Sequence, residues 1–292
     1  MKLSVLITAI LMLAVLATGC VQENKDDRSY SVSDNGVLTL RCGTPSVSES
    51  PLAEHGTVSV RRIVFNDSHG PVYALLASPK DPVAGFVVAP GAGVTKDVCT
   101  DRARMYAEHG FAFLVLDIRG NGGETRGYPL NIEEDYRRFS EGEWPEYYLS
   151  ACDVMNAGDY LAARYSIPVY AVGESNGGRY AAIAAASDPV FSGYIGVSTS
   201  GFREAGLQYT GDARLFLLSI DPDTYAGRIS PRSSWIFHAP ADPVIPFGDG
   251  MELYNRTATP HAFFSFNGTH GPNDEVDRII IGECAQIYGT PG

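Results

Sequence analysis

The sequence predicts an α/β fold in which a mostly parallel central sheet has helices on both faces. Short apolar runs that favour strands alternate with helix-forming segments along most of the chain, the pattern of a doubly wound sheet. The apolar run at 169–172 leads directly into a glycine-flanked serine, Ser175, and an alanine-rich stretch follows it. A strand, a sharp turn and a helix in this order expose a side chain at the carboxyl end of a parallel strand, where functional groups of such sheets collect.

The periodicity of the apolar residues predicts each element. Residues 36–42, 57–65 and 72–77 are predicted to be antiparallel strands that open the sheet, since apolar and polar residues alternate there. The later runs are more continuously apolar, as in strands covered on both faces. These later strands are predicted at 85–89, 111–116, 169–172, 193–198, 234–238 and 261–266, and helices at 100–109, 150–165, after Ser175, 249–256 and 274–288.

The amino-terminal segment is predicted to lie outside the single domain, which is expected to span 37–292. The apolar run after Lys2 is too short to span a bilayer comfortably, and residues 1–19 have the layout of a secretory signal. Small residues directly before Cys20 resemble the lipobox of prokaryotic lipoproteins, which implies a lipidated cysteine and a flexible tether over 20–36. We expect an exported protein anchored to a membrane by lipid, or a secreted one if Cys20 is part of an ordinary signal.

Composition restricts the partners and cofactors. With 22 Lys and Arg against 34 Asp and Glu, the chain carries a net charge of −12, which argues against nucleic acid as a partner. Cys42, Cys99, Cys152 and Cys284 permit disulfides in an exported chain, and three pairings are open. Because no Cys-x-x-Cys motif or His/Cys cluster is present, neither a metal nor another cofactor is predicted. No oligomeric state is predicted.

An acid and a base follow two strands downstream of Ser175. The strand at 234–238 continues into Asp242, and the strand at 261–266 continues into His270. Asp242 can orient an imidazole and stabilise its cation, while His270 can take a proton from Ser175 and return it to a leaving group.

From about residue 57 to residue 287 the chain resembles the α/β-hydrolases, with features of serine esterases and lipases, dienelactone hydrolases and prolyl oligopeptidases. Gly-Glu-Ser-Asn-Gly at 173–177 resembles the nucleophile elbow, Ala-Asp-Pro-Val-Ile-Pro at 241–246 the acid loop, and Gly-Thr-His-Gly at 268–271 the histidine loop. The resemblance implies a triad that attacks an ester or related acyl bond through an acyl-enzyme, with a small cap or none. Its members would be Ser175, His270 and Asp242.

The Pro-Gly-Ala-Gly turn at 90–93 resembles the oxyanion loop of the same family. That loop often begins with His-Gly, and Pro90 departs from the pattern, although backbone donors tolerate the change. The resemblance implies that the peptide N–H groups of Ala92 and Asn176 are the donors, with the neighbouring positions of the turn as alternatives to Ala92.

Several polar residues have two interpretations. Asp249 and Glu252 are alternative acids, but both are predicted to lie on a helix. Arg179, one turn into the helix after the elbow, either steers an anionic substrate or forms a structural salt bridge. Asp117 and Arg119 either touch substrate or form an ion pair that stabilises their loop.

Three functions are compatible with these motifs. The first is a secreted, membrane-tethered serine hydrolase that cleaves a carboxylic ester of a small-molecule acyl substrate. The second is a serine peptidase or amidase, because Ser-Asn-Gly-Gly at 175–178 resembles the elbow of prolyl-oligopeptidase-like enzymes. The third is a surface binding lipoprotein that keeps the fold without catalysis, since a fold does not fix a function.

Overall fold

This computed structural model describes residues 29–289, and a nine-stranded sheet formed by strands between residues 46 and 265 is its central feature. In chain order the strands are β1 (Ser29–Val32), β2 (Leu38–Arg41), β3 (Ser46–His55), β4 (Val58–Asp67), β5 (Gly70–Ser78), β6 (Ala84–Ala89), β7 (Phe111–Leu116), β8 (Val169–Glu174), β9 (Phe191–Val197), β10 (Ser233–His238) and β11 (His261–Ser265). The large sheet has the order β11-β10-β9-β8-β6-β7-β5-β4-β3. Neighbours from β7 to β11 in this order are parallel, whereas β3, β4 and β5 are antiparallel. The predicted mostly parallel sheet is confirmed.

Helices cover both faces of this sheet. They are α1 (Thr100–Glu108), α2 (Ile132–Ser140), α3 (Glu146–Tyr165), α4 (Asn176–Ser187), α5 (Gly211–Ser219), α6 (Phe247–Arg256) and α7 (Asp274–Tyr288). Buried residues of α3, α4 and α5 share one apolar core, and those of α1 and α7 share the other. Side chains of β6 alternate between the two, because successive strand residues point to opposite faces: Val87 lies in the first core, Phe86 and Val88 in the second.

Four elements of the structure, β1, β3, α2 and α5, are not predicted from the sequence pattern. The edge strand β3 exposes nine of its ten residues, so it lacks the alternation that marks a half-buried strand. Helix α2 lies in a polar, aromatic-rich stretch and begins at Asn131, whose side chain accepts hydrogen bonds from two N–H groups of the first turn. Helix α3 begins after Pro145, four residues earlier than the prediction of residue 150.

The amino-terminal residues 29–41 form a separate antiparallel hairpin of β1 and β2. The strand predicted at 36–42 therefore does not open the large sheet, and residues 29–36, predicted as tether, are part of the folded structure. Tyr30 attaches this polar segment to the rest of the domain. Its ring packs edge-on against Trp144 and Tyr148, and its hydroxyl donates to the Glu143 carbonyl. The predicted signal and Cys20 lie outside the described residues.

One disulfide joins this hairpin to the domain. Cys42, directly after β2, is bonded to Cys152 in the middle of α3. Cys99 and Cys284 are free and buried, and burial raises the pKa of each thiol to about 12, so both stay protonated. Within residues 29–289, no helix combines the length and the apolar character that crossing a bilayer requires.

Candidate active site

Ser175 stands between β8 and α4 in a conformation that side-chain-bearing residues seldom adopt. Its φ of 53° and ψ of −122° make the chain turn sharply from strand to helix. Two hydrogen bonds hold it there: the Ser175 N–H donates to the Val197 carbonyl (2.9 Å), and the Thr199 hydroxyl donates to the Ser175 carbonyl (2.7 Å). The predicted strand, turn and helix are therefore present around Ser175.

The glycines that flank Ser175 are required by close backbone packing. A Cβ on Gly177 would lie 2.0 Å from the carbonyl oxygen of Ala89, and one on Gly173 would lie 2.3 Å from the Cα of Gly178. Both contacts are to backbone, which cannot move aside as a flexible side chain can. The helix after the serine can approach β6 and β8 this closely only without side chains at the two positions.

Asp242 and His270 form a hydrogen-bonded acid–base pair. The Nδ1 atom of His270 lies 2.9 and 3.0 Å from the two carboxylate oxygens of Asp242. The Asp242 side chain is fully buried, and its Oδ1 also accepts hydrogen bonds from the N–H groups of Val244 (2.8 Å) and Ile245 (3.0 Å). Burial acts to raise the pKa of Asp242, but these donors and His270 outweigh it and hold the pKa below its usual value.

The hydrogen bond to an ionised carboxylate fixes the tautomer of His270. Its Nδ1 carries the proton that is donated to Asp242, so Nε2 is left as a hydrogen-bond acceptor. The His270 side chain is 24 % exposed, and Nε2 can therefore meet a substrate.

The segment 197–199 lies next to both the serine and the histidine loop. Val197 binds the Ser175 N–H, and the Ser198 hydroxyl accepts a hydrogen bond from the Gly271 N–H (3.0 Å), one residue after His270. Among residues 29–289 the Ser175 hydroxyl makes no hydrogen bond, to His270 or to any other group. The structure thus pairs the acid and the base and anchors Ser175 beside the same strand end. Catalytic hydrogen bonds to the nucleophile often form only with substrate bound.

A second histidine supports the acid loop. His238, at the end of β10, is fully buried, and its Nε2 donates to the Ile245 carbonyl (2.9 Å) and lies 3.5 Å from Asp242. A Cβ on Gly250 would lie 2.2 Å from its ring, so α6 packs directly against the imidazole. These contacts keep the peptide groups after Asp242 turned towards its carboxylate.

The alternative acids lie elsewhere. Asp249 and Glu252 both project from α6 and pair with Arg203. The residue that pairs with His270 is Asp242.

The turn at 90–93 lies against the serine. A Cβ on Gly91 would be 3.3 Å from the Cβ of Ser175, and Ala92 follows at the exposed tip of the turn. Asn176 is the first residue of α4, directly after the serine. The two predicted donors, Ala92 and Asn176, therefore belong to the two backbone segments that border Ser175.

A residue without a sequence motif braces this turn. The side-chain amide of Asn121 donates to the carbonyls of Gly91 (2.9 Å) and Val94 (3.1 Å). Just beyond the turn, Lys96 is almost fully buried and binds Asp117 through its backbone N–H (2.8 Å) and its ammonium group (3.1 Å). Asn121 and Asp117 both follow β7, so the loop after that strand fixes the position of the turn at 90–93.

The predicted ion pair between Asp117 and Arg119 is wrong. Each residue has a closer partner on another element: Asp117 pairs with Lys96, and the Arg119 guanidinium pairs with Asp153 on α3 at 2.8 Å. Both arginine and aspartate are nearly or fully buried, so they stabilise the loop without facing a substrate.

A groove of about 380 Å³ opens beside the acid loop. Arg179 on α4 borders it, with hydrogen bonds to the Ser200 carbonyl (3.2 Å) and hydroxyl (3.4 Å) and its guanidinium 4.2 Å above the Phe202 ring. The salt bridge considered for Arg179 is not present among residues 29–289. The groove is lined by Arg179, Ser200, Gly201, Phe202, Arg203, Val244, Ile245, Pro246 and Asp249.

A smaller, apolar pocket of about 190 Å³ adjoins this groove at Phe202. It is lined by Ile132, Phe202, Ala205, Leu217 and Ile220. Within the described residues, no group of three or more His, Cys, Asp or Glu side chains is placed to hold a metal ion.

Comparison with known proteins identifies similar folds rather than close relatives. No protein-family model matches the chain, and no curated protein matches it in sequence. An acetyl xylan esterase from a Paenibacillus species superposes with a TM-score of 0.67 at 17% identity, covering 84% of this chain and 90% of that one. Acetyl xylan esterase 1 from a Thermoanaerobacterium species gives 0.63 at 15% identity over 85% and 88% of the two chains. A cold-adapted esterase from an Arctic intertidal metagenomic library gives 0.60 at 17% over 80% and 96%.

These matches concern the architecture, since identity is low and the coverage of both chains is high. The order of the sheet, the strand–serine–helix turn and the placement of the acid and the base at strand ends are features of one fold. The chain has the α/β-hydrolase fold.

Proposed function

We propose that the protein is a serine hydrolase that cleaves a carboxylic ester, or a related acyl bond, through an acyl-enzyme. One observation carries this proposal. The His270 Nδ1 atom is hydrogen-bonded to the buried Asp242 carboxylate, next to a serine held in a strained strand-to-helix turn. The similar solved structures include acetyl xylan esterases and a cold-adapted esterase, which supports an ester as the substrate.

Each residue has a defined role in this mechanism. The Ser175 oxygen attacks the carbonyl carbon of the ester, while His270 Nε2 takes the hydroxyl proton. Asp242 stabilises the imidazolium that forms. The imidazolium then gives its proton to the leaving alcohol, and a water molecule activated by the same nitrogen hydrolyses the acyl-enzyme. The peptide N–H groups of Ala92 and Asn176 are the proposed donors to the tetrahedral oxyanion.

Substitution of the nucleophile tests the proposal. We expect Ser175→Ala to reduce the turnover of p-nitrophenyl acetate by about 10⁴-fold or more, with unchanged circular dichroism. A fluorophosphonate probe should label the wild-type protein at Ser175 and leave the variant unlabelled. Retained turnover in the variant would contradict the mechanism, and failure of the probe to label Ser175 would favour a binding protein without catalysis. Faster cleavage of aminoacyl amides than of esters would favour a peptidase or amidase.

We further propose that the protein is exported and held at a membrane by a lipid on Cys20. The support is the apolar run of residues 3–16 followed by small residues directly before that cysteine. Cys20→Ser should move the protein from the membrane fraction to the soluble fraction and abolish incorporation of labelled fatty acid. Equal membrane association of both forms would contradict the anchor.

A further inference from the structure

Arg179 is a cation without a carboxylate partner among the described residues. Its contacts are neutral: the carbonyl and hydroxyl of Ser200 accept from two of its five N–H groups, and its face covers Phe202. These contacts hold the guanidinium in one orientation and leave its other N–H groups available to a ligand. A planar, positioned guanidinium of this kind binds carboxylates in two-pronged geometry.

The second arginine of the groove, Arg203, is offset by two carboxylates. Arg203 pairs with Asp249, the only acidic residue among those described that lines the groove, and its Nε lies 3.0 Å from Glu252. Among residues 29–289, Arg179 is therefore the one charged side chain lining the groove that has no partner of opposite charge. The positive end of α4 adds to its attraction for an anion.

The groove borders the loop that carries Asp242. Ile245 lines it, and the N–H of the same residue donates to Asp242. Arg179 lies four residues after Ser175 on the same helix, an axial rise of about 6 Å. A substrate held over Ser175 can thus extend into the groove and reach the guanidinium.

We propose that Arg179 binds a carboxylate of the ester substrate, on its acyl or its alcohol part. This inference rests on the proposed hydrolase function and adds a substrate class: esters that carry a carboxylate a few bonds from the cleaved bond. The carboxylate takes the free N–H groups of Arg179, while Ser175 attacks the ester carbonyl.

Matched esters and two arginine variants test this. The first pair is 4-acetoxybenzoate and its neutral methyl ester, with the charge on the alcohol part. The second is mono-4-nitrophenyl adipate and 4-nitrophenyl hexanoate, with the charge on the acyl part. For each pair the ratio of kcat/KM for the anionic ester to that for the neutral ester is measured. Because a ratio is compared between proteins, the intrinsic reactivities of the esters cancel.

In Arg179→Gln we expect this ratio to fall at least about tenfold for one of the two pairs, the loss that follows removal of a charge-assisted hydrogen bond. The double variant Arg203→Gln, Asp249→Asn is the matched control. It removes an arginine of the same groove together with a carboxylate that pairs with it, which leaves the net charge unchanged, and its ratio should change by less than about twofold. Arg179→Lys keeps the charge without the planar fork, and its ratio should lie between those of the wild type and Arg179→Gln.

Binding of 4-hydroxybenzoate and of adipate, followed by calorimetry, gives a readout that does not need turnover. We expect at least one of them to bind the wild type about tenfold or more tightly than Arg179→Gln. If the wild type binds these anions more tightly than Arg179→Gln but hydrolyses none of the esters, the hydrolase function is contradicted and the anion site is not. Unchanged ratios for both ester pairs in Arg179→Gln, or an equal fall in the double variant Arg203→Gln, Asp249→Asn, would overturn the inference.

Discussion

Asn121 offers the sharpest test of how the fold serves catalysis, because its side chain binds the proposed oxyanion turn and, among residues 29–289, forms no hydrogen bond with Ser175. Asn121→Ala removes two hydrogen bonds, to the carbonyls of Gly91 and Val94 at 2.9 and 3.1 Å. At about 1 kcal/mol each, their loss should lower the free energy of unfolding by about 2 kcal/mol. The turn that carries Ala92 then loses its support on one side.

The effect on turnover should exceed the effect on folding. An oxyanion donor removed outright costs about 10²-fold or more in kcat, and a donor displaced by a fraction of an ångström costs part of that. We expect kcat for p-nitrophenyl acetate to fall about 10- to 100-fold, with KM changed by less than about threefold. Asn121→Asp should be worse than Asn121→Ala, since a carboxylate would face two carbonyl oxygens without a proton to donate.

Steady-state kinetics and urea unfolding of the same preparations measure both effects. Asn255→Ala is the control, because Asn255 is exposed on α6 and makes no side-chain hydrogen bond within the described residues. Asn121→Ala with kcat within about twofold of the wild type, in a folded protein, would refute the role of this residue in positioning the turn.

Three further predictions concern the elbow, the disulfide and a buried carboxyl. Gly177→Ala should lower the unfolding free energy by more than about 3 kcal/mol and abolish fluorophosphonate labelling, because the new Cβ would lie 2.0 Å from the Ala89 oxygen. Replacing Cys42 and Cys152 together by alanine should lower the free energy of unfolding in urea by about 5 kcal/mol, because the bond closes a loop of 110 residues. Equal urea midpoints for the variant and the wild type would contradict this. Burial raises the pKa of Asp223 from 3.8 to about 6, so its folded state keeps a proton that the unfolded chain releases. The free energy of unfolding of the wild type should therefore fall by about 3 kcal/mol as the pH rises from 3.8 to about 6. Asp223→Asn should lack this fall when unfolding is measured at several pH values.

The strand ends could be predicted from the sequence because they are marked locally. An apolar run followed by Ser175, Asp242 or His270 identifies the carboxyl end of a strand, and parallel strands bring such ends to one edge. The structure accordingly pairs Asp242 with His270. The roles of Ser175, Ala92 and Asn176 in catalysis remain predictions.

The supporting residues could not be predicted, since their partners are distant in sequence. Nothing around Asn121 indicates that it binds carbonyls 27 and 30 residues earlier. The burial of Lys96 could not be predicted either, because a charged side chain is expected to be exposed. Its buried position depends on the ion pairs with Asp117 and Glu124. The hairpin of β1 and β2 is likewise invisible in a polar segment, because its docking depends on aromatic residues more than a hundred positions later.

The bond between Cys42 and Cys152 also determines how the protein responds to mechanical load at its amino end. A pull there first reaches residues 29–41, and a two-stranded hairpin is a weak element that can be peeled open. At Cys42 the peeling stops, since the covalent bond passes the tension into the middle of α3, a helix buried along most of its length. The tension therefore bypasses residues 43–151, and strands β3 to β7, which lie between the two cysteines, are removed from the load path.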